Sequence, residues 1–285
     1  VQTCALPISA PSAQTLLPWE MCHVDSSGKF RVRSFQGNYY YAVFVCCLKG
    51  TKVYIPFSKR KHFPIVYLEF VRRIGRHPKY MYCDLAGENT SKGFDLLLSI
   101  KGVKVLPVPR DEHHSLGLAE RAIQTIDLGV KAIIADSKVP RKYWDIIGEH
   151  FTLVLTMTTP SRDDPSKTIF ESAYGAIPNL DLLPRVGCFS VRLQPKTRLV
   201  DWKLDPKNQP GVFLGFATLK RSGYGSILLV ENSVVLAKHQ VAHDPSLMPF
   251  HAVRTHNTRT EFLSTLLGYE GFKQKTEEAH ADALD

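Results

Sequence analysis

The sequence predicts a mixed α/β unit followed by a smaller unit made of β-strands. Aromatic and β-branched runs alternate with helical patterns from residue 19 to about residue 160. Two short apolar stretches end in acids, Asp25 and Asp84, and a long helical pattern carries Glu120 near its start. From Val186 onward the pattern changes to short strands separated by turns, which is typical of a small barrel.

The first predicted strand, residues 21–25, alternates between two faces. Cys22 and Val24 lie on one face and His23 and Asp25 on the other, as expected for a strand with one side wetted by solvent. A hairpin, two helices and two strands follow along the chain. Their predicted residues are strands 38–47 and 52–57, helix 62–74 closed by Gly75, strand 80–83 with Asp84 at its end, helix 91–100 and strand 103–108.

A 3.6-residue repeat then predicts a long helix with one stripe facing the core. The apolar members of that stripe are Leu116, Ala119, Ile123, Ile126, Val130 and Ile133. Glu120 lies at its border, and Gln124, Asp127 and Lys131 continue the line of Glu120 at i+4, i+7 and i+11. This line forms a polar border beside the apolar stripe.

Further helices are predicted at residues 141–157 and 168–174, the second closed at Gly175. The strands of the smaller unit are predicted at 186–193, 211–216, 226–231 and 233–243. The polar end of the chain predicts a helix near 260–269 and disorder after it.

Three carboxylates at the ends of such elements indicate a metal site. Acidic side chains gathered in one place repel one another when no metal ion is bound. Hard divalent cations prefer oxygen ligands and offset this negative charge. Two ions about 3.5–4 Å apart clamp the attacking and leaving oxygens of a phosphodiester. The alternative for any single acid is an ordinary strand-end turn or cap, so only the ordered set, with 35 residues between Asp84 and Glu120, carries this prediction.

The sequence motifs around these acids resemble those of a known family. They are His23-Val24-Asp25, the segment 84–88 (DLAGE), the segment 115–121 (SLGLAER), and downstream the segments 168–191 and 203–216. Together, from about Trp19 to Phe250, they resemble the integrase core of copia-type LTR retrotransposon Pol polyproteins and, more distantly, of retroviruses. The resemblance implies an α/β fold with a ribonuclease-H-like mixed sheet and flanking helices, followed by a small SH3-like β-barrel.

The resemblance also implies domain boundaries. The expected parts are a catalytic core at 19–160, a linker helix at 161–184, the barrel at 185–250 and a partly disordered tail at 251–285. Residues 1–18 are expected to be linker or artefact, because Val1 to Ile8 can be back-translated into a sequencing-adapter oligonucleotide. On this interpretation the natural protein continues upstream.

The implied activity is metal-dependent processing of the 3′ ends of element DNA and strand transfer into target DNA. Asp25, Asp84 and Glu120 are the expected catalytic residues and ligands of Mg²⁺ or Mn²⁺, with two ions. The expected partners are element cDNA ends, target DNA and further copies of the chain, with no membrane; the expected location is the nucleus, after a cytoplasmic virus-like particle. The DNA-binding candidates are His114, Arg121, Gln124, Lys131, Lys203 and Lys207.

Two alternatives stay open. The chain departs from the family pattern at Lys29, Leu85, Leu116 and Ile123, where Pro or Asn is usual. The three acids are retained, but the lost polar groups beside them leave a DNA-binding remnant without activity as one alternative. The other alternative is a ribonuclease-H-type nuclease that acts on RNA–DNA hybrids.

Composition agrees with a nucleic-acid enzyme but is less specific. The chain has 285 residues, enough for two globular units, and 36 Lys+Arg against 27 Asp+Glu give a net charge of +9. A merely basic soluble protein has the same balance. Six Cys without a C-x-x-C pair indicate buried reduced thiols. The cluster Lys59-Arg60-Lys61 is interpreted as a solvated turn, a phosphate contact or a nuclear address.

Overall fold

The computed structural model describes residues 16–83, 92–106, 113–193, 208–218, 224–230, 233–237 and 241–252. The chain forms two compact units, each made of two segments. The first unit comprises Val1–Gly129 and Phe151–Pro178, and the second comprises Val130–His150 and Asn179–Asp285. The predicted helix at 260–269 lies outside the described residues.

The first unit contains a five-stranded mixed sheet. Its strands are β1 (Met21–Ser26), β2 (Tyr40–Cys46), β3 (Lys52–Phe57), β4 (Tyr80–Cys83) and β5 (Lys104–Leu106). The spatial order is β3-β2-β1-β4-β5, with β1, β2 and β3 antiparallel and β4 and β5 parallel to β1. This order and these directions confirm the predicted ribonuclease-H-like mixed sheet.

The described part of the chain contains six α-helices. They are α1 (Phe63–Ile74), α2 (Lys92–Ile100), α3 (His113–Ser137), α4 (Trp144–Thr158), α5 (Ile169–Tyr174) and α6 (Pro249–Ala252). The predicted helix at 141–157 begins one turn later as an α-helix, because residues 141–143 form a 3₁₀ turn. None of the helices in the described part of the chain is both long and apolar enough to cross a membrane.

One face of the sheet carries the aromatic core. Phe63, Tyr67 and Phe70 of α1 are buried at helical spacing, and Phe70 stacks on Phe44 of β2 with ring centroids 4.0 Å apart. Cys22 and Val24 of β1, Met81 and Cys83 of β4, and Phe94 and Leu98 of α2 belong to the same cluster. The alternation predicted for β1 therefore holds on this face.

The opposite face of β1 is predicted to be exposed to solvent, and this prediction is wrong at His23. The His23 side chain is only 6% exposed, because its ring stacks on Tyr82 of β4 with centroids 4.5 Å apart. Asp25, two residues further on the same face, is half-buried. The polar strand face is thus covered along β1 and opens only at its end.

Helix α3 buries a slightly different stripe from the predicted one. Ala119, Ala122, Ile126 and Val130 are buried, whereas Ile123 and Ile133 are half-buried. On the same helix a Cβ added at Gly129 would lie 2.1 Å from the ring of Phe151. Only glycine permits this close approach between α3 and α4.

The second unit contains an antiparallel sheet of order β10-β6-β7-β8-β9. The strands are β6 (Phe189–Leu193), β7 (Asn208–Thr218), β8 (Tyr224–Val230), β9 (Ser233–Ala237) and β10 (Val241–Asp244). Of the predicted run 233–243 the structure describes β9, which pairs with β8, and β10, which pairs with β6 at the other edge, while residues 238–240 lie outside the described residues. No pairing between β9 and β10 joins the edges within the described residues, so the SH3-like barrel stays a prediction.

Candidate active site

The sheet brings together the strand ends that lead into the first two acids. β1 and β4 are parallel neighbours, and their register pairs Val24 with Cys83. Asp25 follows Val24, and Asp84 is the next residue after Cys83 in the chain. Asp84 itself lies outside the described residues. Because ligand sites in α/β sheets form at the carboxyl ends of adjacent strands, this pairing is the framework on which the candidate site rests.

Asp25 lies where β1 opens to solvent. Its Oδ1 accepts a hydrogen bond of 2.7 Å from the Ser26 N–H, and its residue pairs with Val43 of β2. The half-buried carboxylate is therefore placed on regular strand backbone. A carboxylate held on a strand has fewer orientations to lose when it binds a ligand than one on a flexible loop.

Tyr41 of β2 links this edge of the sheet to α3. Its buried hydroxyl donates to Asp127 Oδ1 at 2.7 Å and lies 3.3 Å from the carbonyl oxygen of Ile123. Burial, the hydrogen bond to Asp127 and the negative charges of Asp127 and Asp25 all raise the pKa of Tyr41. The phenol therefore stays protonated and acts as a donor.

The third acid, Glu120, is exposed on α3. Its Oε1 accepts from Gln124 Nε2 at 3.3 Å. Glu120 and Asp127 are seven residues apart, which places them on nearly the same side of the helix, about 10 Å apart along its axis. Through its hydrogen bond to Asp127, Tyr41 thus fixes one side of α3 against the sheet. Glu120 lies on that same side of the helix.

These placements test the predicted site only in part. The structure brings Asp25, Tyr41 and Asp127 together and puts Glu120 on the same helix side as Asp127. Among the described residues there is no group of three His, Cys, Asp or Glu side chains close enough to hold a metal ion. Asp84, which the triad requires, is outside that part of the chain, so the triad remains a prediction.

The donors that are described fit a divalent cation in their chemistry. Asp25 and Glu120 offer carboxylate oxygens, which hard cations prefer, and both side chains have access to solvent. The described thiols do not compete for such an ion, because Cys22, Cys46, Cys47, Cys83 and Cys188 form no disulfide and are buried. Burial raises the pKa of Cys47 to about 12, which keeps it protonated, and the predicted reduced thiols are confirmed at these five positions.

The DNA-binding candidates are placed unevenly. Arg121 is exposed and donates from Nε to the carbonyl oxygen of Gly117 at 2.8 Å, while Gln124 and Lys131 are exposed on α3. The backbone of His114 lies in α3, but its side chain is outside the described residues, as are Lys203 and Lys207. Their role in DNA binding stays a prediction.

Sequence reasoning missed Tyr41. Tyr41 stands in an aromatic run in which nothing distinguishes it from Tyr39 and Tyr40. The one available signal was Asp127, which continues the line of Glu120 along α3 and needs a donor when the helix packs on a sheet.

No family model matches the chain. The chain is 27% identical over 211 residues to the retrovirus-related Pol polyprotein from transposon TNT 1-94 of Nicotiana tabacum. This similarity covers 69% of the chain but only 15% of the polyprotein. The predicted resemblance to a retrotransposon Pol polyprotein is confirmed by this match.

Solved structures show more distant likenesses. One is a simian T-cell lymphotropic virus intasome in complex with a PP2A regulatory subunit, with 11% identity and a TM-score of 0.46, covering 80% of this chain and 79% of that chain. Another is the HTLV-2 integrase catalytic core domain in complex with magnesium, with 17% identity and a TM-score of 0.40, covering 54% of this chain and 96% of that one. TM-scores of 0.46 and 0.40 do not establish the fold. The assignment of the fold rests on the strand order of the first sheet.

Proposed function

We propose that this chain contains the catalytic core of a retrotransposon integrase. The observation that carries the proposal is the parallel pairing of β1 with β4, in which Val24 and Cys83, the residues before two acids, lie side by side. The match to a transposon Pol polyprotein supports it independently. The domain division at 19–160, 161–184 and 185–250 belongs to the same proposal.

In the proposed mechanism Asp25, Asp84 and Glu120 would hold two ions of Mg²⁺ or Mn²⁺, which would activate the attacking oxygen and offset the charge on the leaving oxygen of a phosphodiester. In the first reaction water attacks a phosphodiester near each 3′ end of element DNA, and the P–O bond to the 3′-oxygen breaks, which frees a 3′-hydroxyl. In the second reaction this 3′-hydroxyl attacks a target phosphodiester and displaces the 3′-oxygen of the target strand, so one P–O bond forms as another breaks. The protein forms no covalent bond to DNA in either step.

The described residues contribute placement and charge. Asp25 supplies a carboxylate on rigid strand backbone, and Glu120 supplies one on α3. Tyr41 does not act as a base, because its pKa is raised and its proton is donated to Asp127. It is a positioning residue that fixes α3 against the sheet edge beside Asp25.

Variants of the triad test the proposal. Asp84→Asn and Glu120→Gln keep the shape of the side chain but remove a metal-binding charge, so each is expected to abolish strand transfer of oligonucleotide ends while DNA binding is retained. Asp95→Asn is the matched control, since Asp95 is an exposed acid on α2 and its loss leaves joining unchanged. Parent-level joining by either triad variant would contradict the assigned roles.

The same assays separate the alternatives. A gel that resolves joined from merely cut products distinguishes an integrase from a ribonuclease-H-type nuclease. Isothermal titration with Mn²⁺ distinguishes an active core from a DNA-binding remnant, because a remnant takes up no metal. A multimer on paired DNA ends, and action in the nucleus after a virus-like particle stage, complete the proposal.

A further inference from the structure

Six basic residues lie in two loops at the end of the first sheet that also carries Asp25. They lie in residues 27–39, between β1 and β2, and residues 58–62, between β3 and α1, and neither segment contains Asp or Glu. The end of β1, the start of β2 and the end of β3 meet there, since Ser26 pairs with Ala42 and Tyr40 with Phe57. The six exposed residues are Lys29, Arg31, Arg33, Lys59, Arg60 and Lys61.

Two adjacent tyrosines each contact a cation from one of the two segments. Lys29 Nζ lies 5.1 Å from the ring centroid of Tyr39, and the guanidinium carbon of Arg60 lies 5.3 Å from that of Tyr40. The Tyr40 ring in turn stacks on Phe57 at 5.4 Å. Cation–π contacts hold charges over aromatic faces. The six basic residues with Tyr39 and Tyr40 are called the basic edge below.

The longer segment has a defined conformation. Ser27 exchanges hydrogen bonds with the Tyr41 backbone, donating from N–H at 2.8 Å and accepting at Oγ at 2.9 Å. The Phe30 N–H donates to the Tyr39 carbonyl oxygen at 2.8 Å.

A tight turn orders the far part of the segment. The Ser34 N–H and Oγ both bond to Asn38, and Gly37 has φ +90. A Cβ at Gly37 would lie 3.0 Å from Arg33 Nη2, so the guanidinium lies directly over this turn. Charges presented on ordered backbone lose less freedom on binding than charges on a flexible tail.

We propose that the basic edge binds the DNA backbone beside the phosphodiester that reacts at Asp25. This inference rests on the proposed function. Val43, which pairs with Asp25, is three residues from Tyr40 along β2, or about 10 Å at strand spacing. Each strand of duplex DNA carries a phosphate every ~3.4 Å of helix axis, so the basic edge lies about three base pairs from Asp25.

The charge of the basic edge favours a polyanion. Its six exposed cations come from two segments of the chain, 27–39 and 58–62, neither of which contains an acid, so a ligand with repeated negative charges matches them. Val32 and Phe35, 39% and 42% exposed, stand among the cations and offer apolar contact to sugars and bases. Duplex DNA next to a phosphodiester site satisfies both features.

Two charge-matched double variants test the inference. Arg31→Gln/Lys61→Gln removes two cations of the basic edge that make no tyrosine contact described above. Lys101→Gln/Lys104→Gln removes two exposed cations at the opposite edge, where Lys104 pairs with Tyr80 at the start of β4. Both doubles carry the same net charge, so any difference between them reports position.

The measurement is fluorescence anisotropy of a short labelled DNA duplex with the full chain in EDTA, over a series of salt concentrations. The Arg31→Gln/Lys61→Gln double is expected to weaken binding and to reduce the slope of log K against log salt by about 1.8, at ~0.9 for each lost phosphate contact. The Lys101→Gln/Lys104→Gln double keeps the parent slope. The charge-preserving double Arg31→Lys/Lys61→Arg keeps most of the parent affinity.

Equal weakening in both charge-removing doubles, or no weakening in either, would overturn the basic edge as a DNA site. A parent chain that binds an acidic peptide but does not bind duplex DNA at the same salt concentration would overturn it as well. A parent chain that binds no duplex DNA even at low salt would instead overturn the proposed function.

Discussion

At the scale of single residues, the buried phenol of Tyr41 fixes α3 against the first sheet, a role that no sequence motif indicates. Tyr41 is 1% exposed, donates to Asp127 and lies close enough to Asp25 for that charge to raise its pKa. Motif reasoning finds the acids, because carboxylates at strand ends stand out in the sequence. It does not find their positioning partner, because Tyr41 and Asp127 are 86 residues apart and meet only through the fold.

Tyr41→Phe tests this positioning role. The change removes one hydrogen bond to a half-buried carboxylate and is expected to cost about 1–2 kcal/mol in the free energy of unfolding. It also lowers the rate of strand transfer while leaving DNA affinity unchanged, since α3 loses its fixed contact with the sheet edge. Urea denaturation and single-turnover joining measure the two effects.

Tyr174→Phe is the control, because Tyr174 is 62% exposed. Its unfolding free energy is expected to stay within about 0.5 kcal/mol of the parent. Equal behaviour of the two variants in both assays would show that Tyr41 has no positioning role.

His150 in the second unit couples folding to pH. Burial lowers its pKa to about 4, and Nδ1 accepts from the Phe216 N–H at 3.4 Å, so the ring is neutral when folded. The unfolded chain binds the proton at about 6.5, so the stability held above that pH is lost as pH falls from 6.5 toward 4. The loss from this residue is about 3 kcal/mol when complete.

Urea denaturation of the parent and of His150→Leu at pH 7.5 and pH 5 measures this coupling. The variant cannot titrate, so its stability is expected to fall less between the two pH values. Part of the dependence remains, because burial also lowers the pKa of His243. An identical fall in parent and variant would show that His150 does not titrate as described.

At the scale of elements, local signals predicted most of the first unit. β4 occupies residues 80–83 as the sequence predicts, and α1 ends where Gly75 adopts φ +80, which favours glycine. α5 begins at a capping box, in which Thr168 and Glu171 satisfy each other's backbone N–H groups. Alternation, spacing and caps are local properties, so one sequence suffices to detect them.

Contacts between elements were not predictable in the same way. Lys49, in the turn between β2 and β3, donates to Asp163 at 3.0 Å and to the Ser172 carbonyl oxygen at 2.7 Å. Burial would raise the pKa of Asp163, but hydrogen bonds from Ser161, Lys49 and Ser172 outweigh it and lower the pKa to about 2. This cluster ties the hairpin to α5 across more than 100 residues, and no local pattern indicates it.

The pairing of the predicted strand at 233–243 was also not predictable from its own residues. Its apolar and polar residues continue without a strong turn signal, so period alone suggests one strand. In the structure the two halves pair with β8 and β6 at opposite edges of the sheet. Strand pairing is decided by partners elsewhere in the chain, which a single sequence does not reveal.

At the scale of the whole molecule, the proposed phosphodiester site lies in a chain of net positive charge. The first sheet supplies an edge where strand ends leading to two acids, a positioning tyrosine and the basic edge meet. A charge of +9 attracts a polyanion from any direction, whereas the basic edge predicts where its backbone lies. Both proposals depend on the convergence of Asp25, Asp84 and Glu120.

The most direct measurement of that convergence is a crystal structure of the chain with Mn²⁺, located by anomalous scattering. Manganese peaks are expected next to carboxylate oxygens of Asp25, Asp84 and Glu120, each within about 2.5 Å of an ion. Peaks elsewhere, or a triad whose carboxylates point to separate surfaces in the presence of the ion, would contradict it.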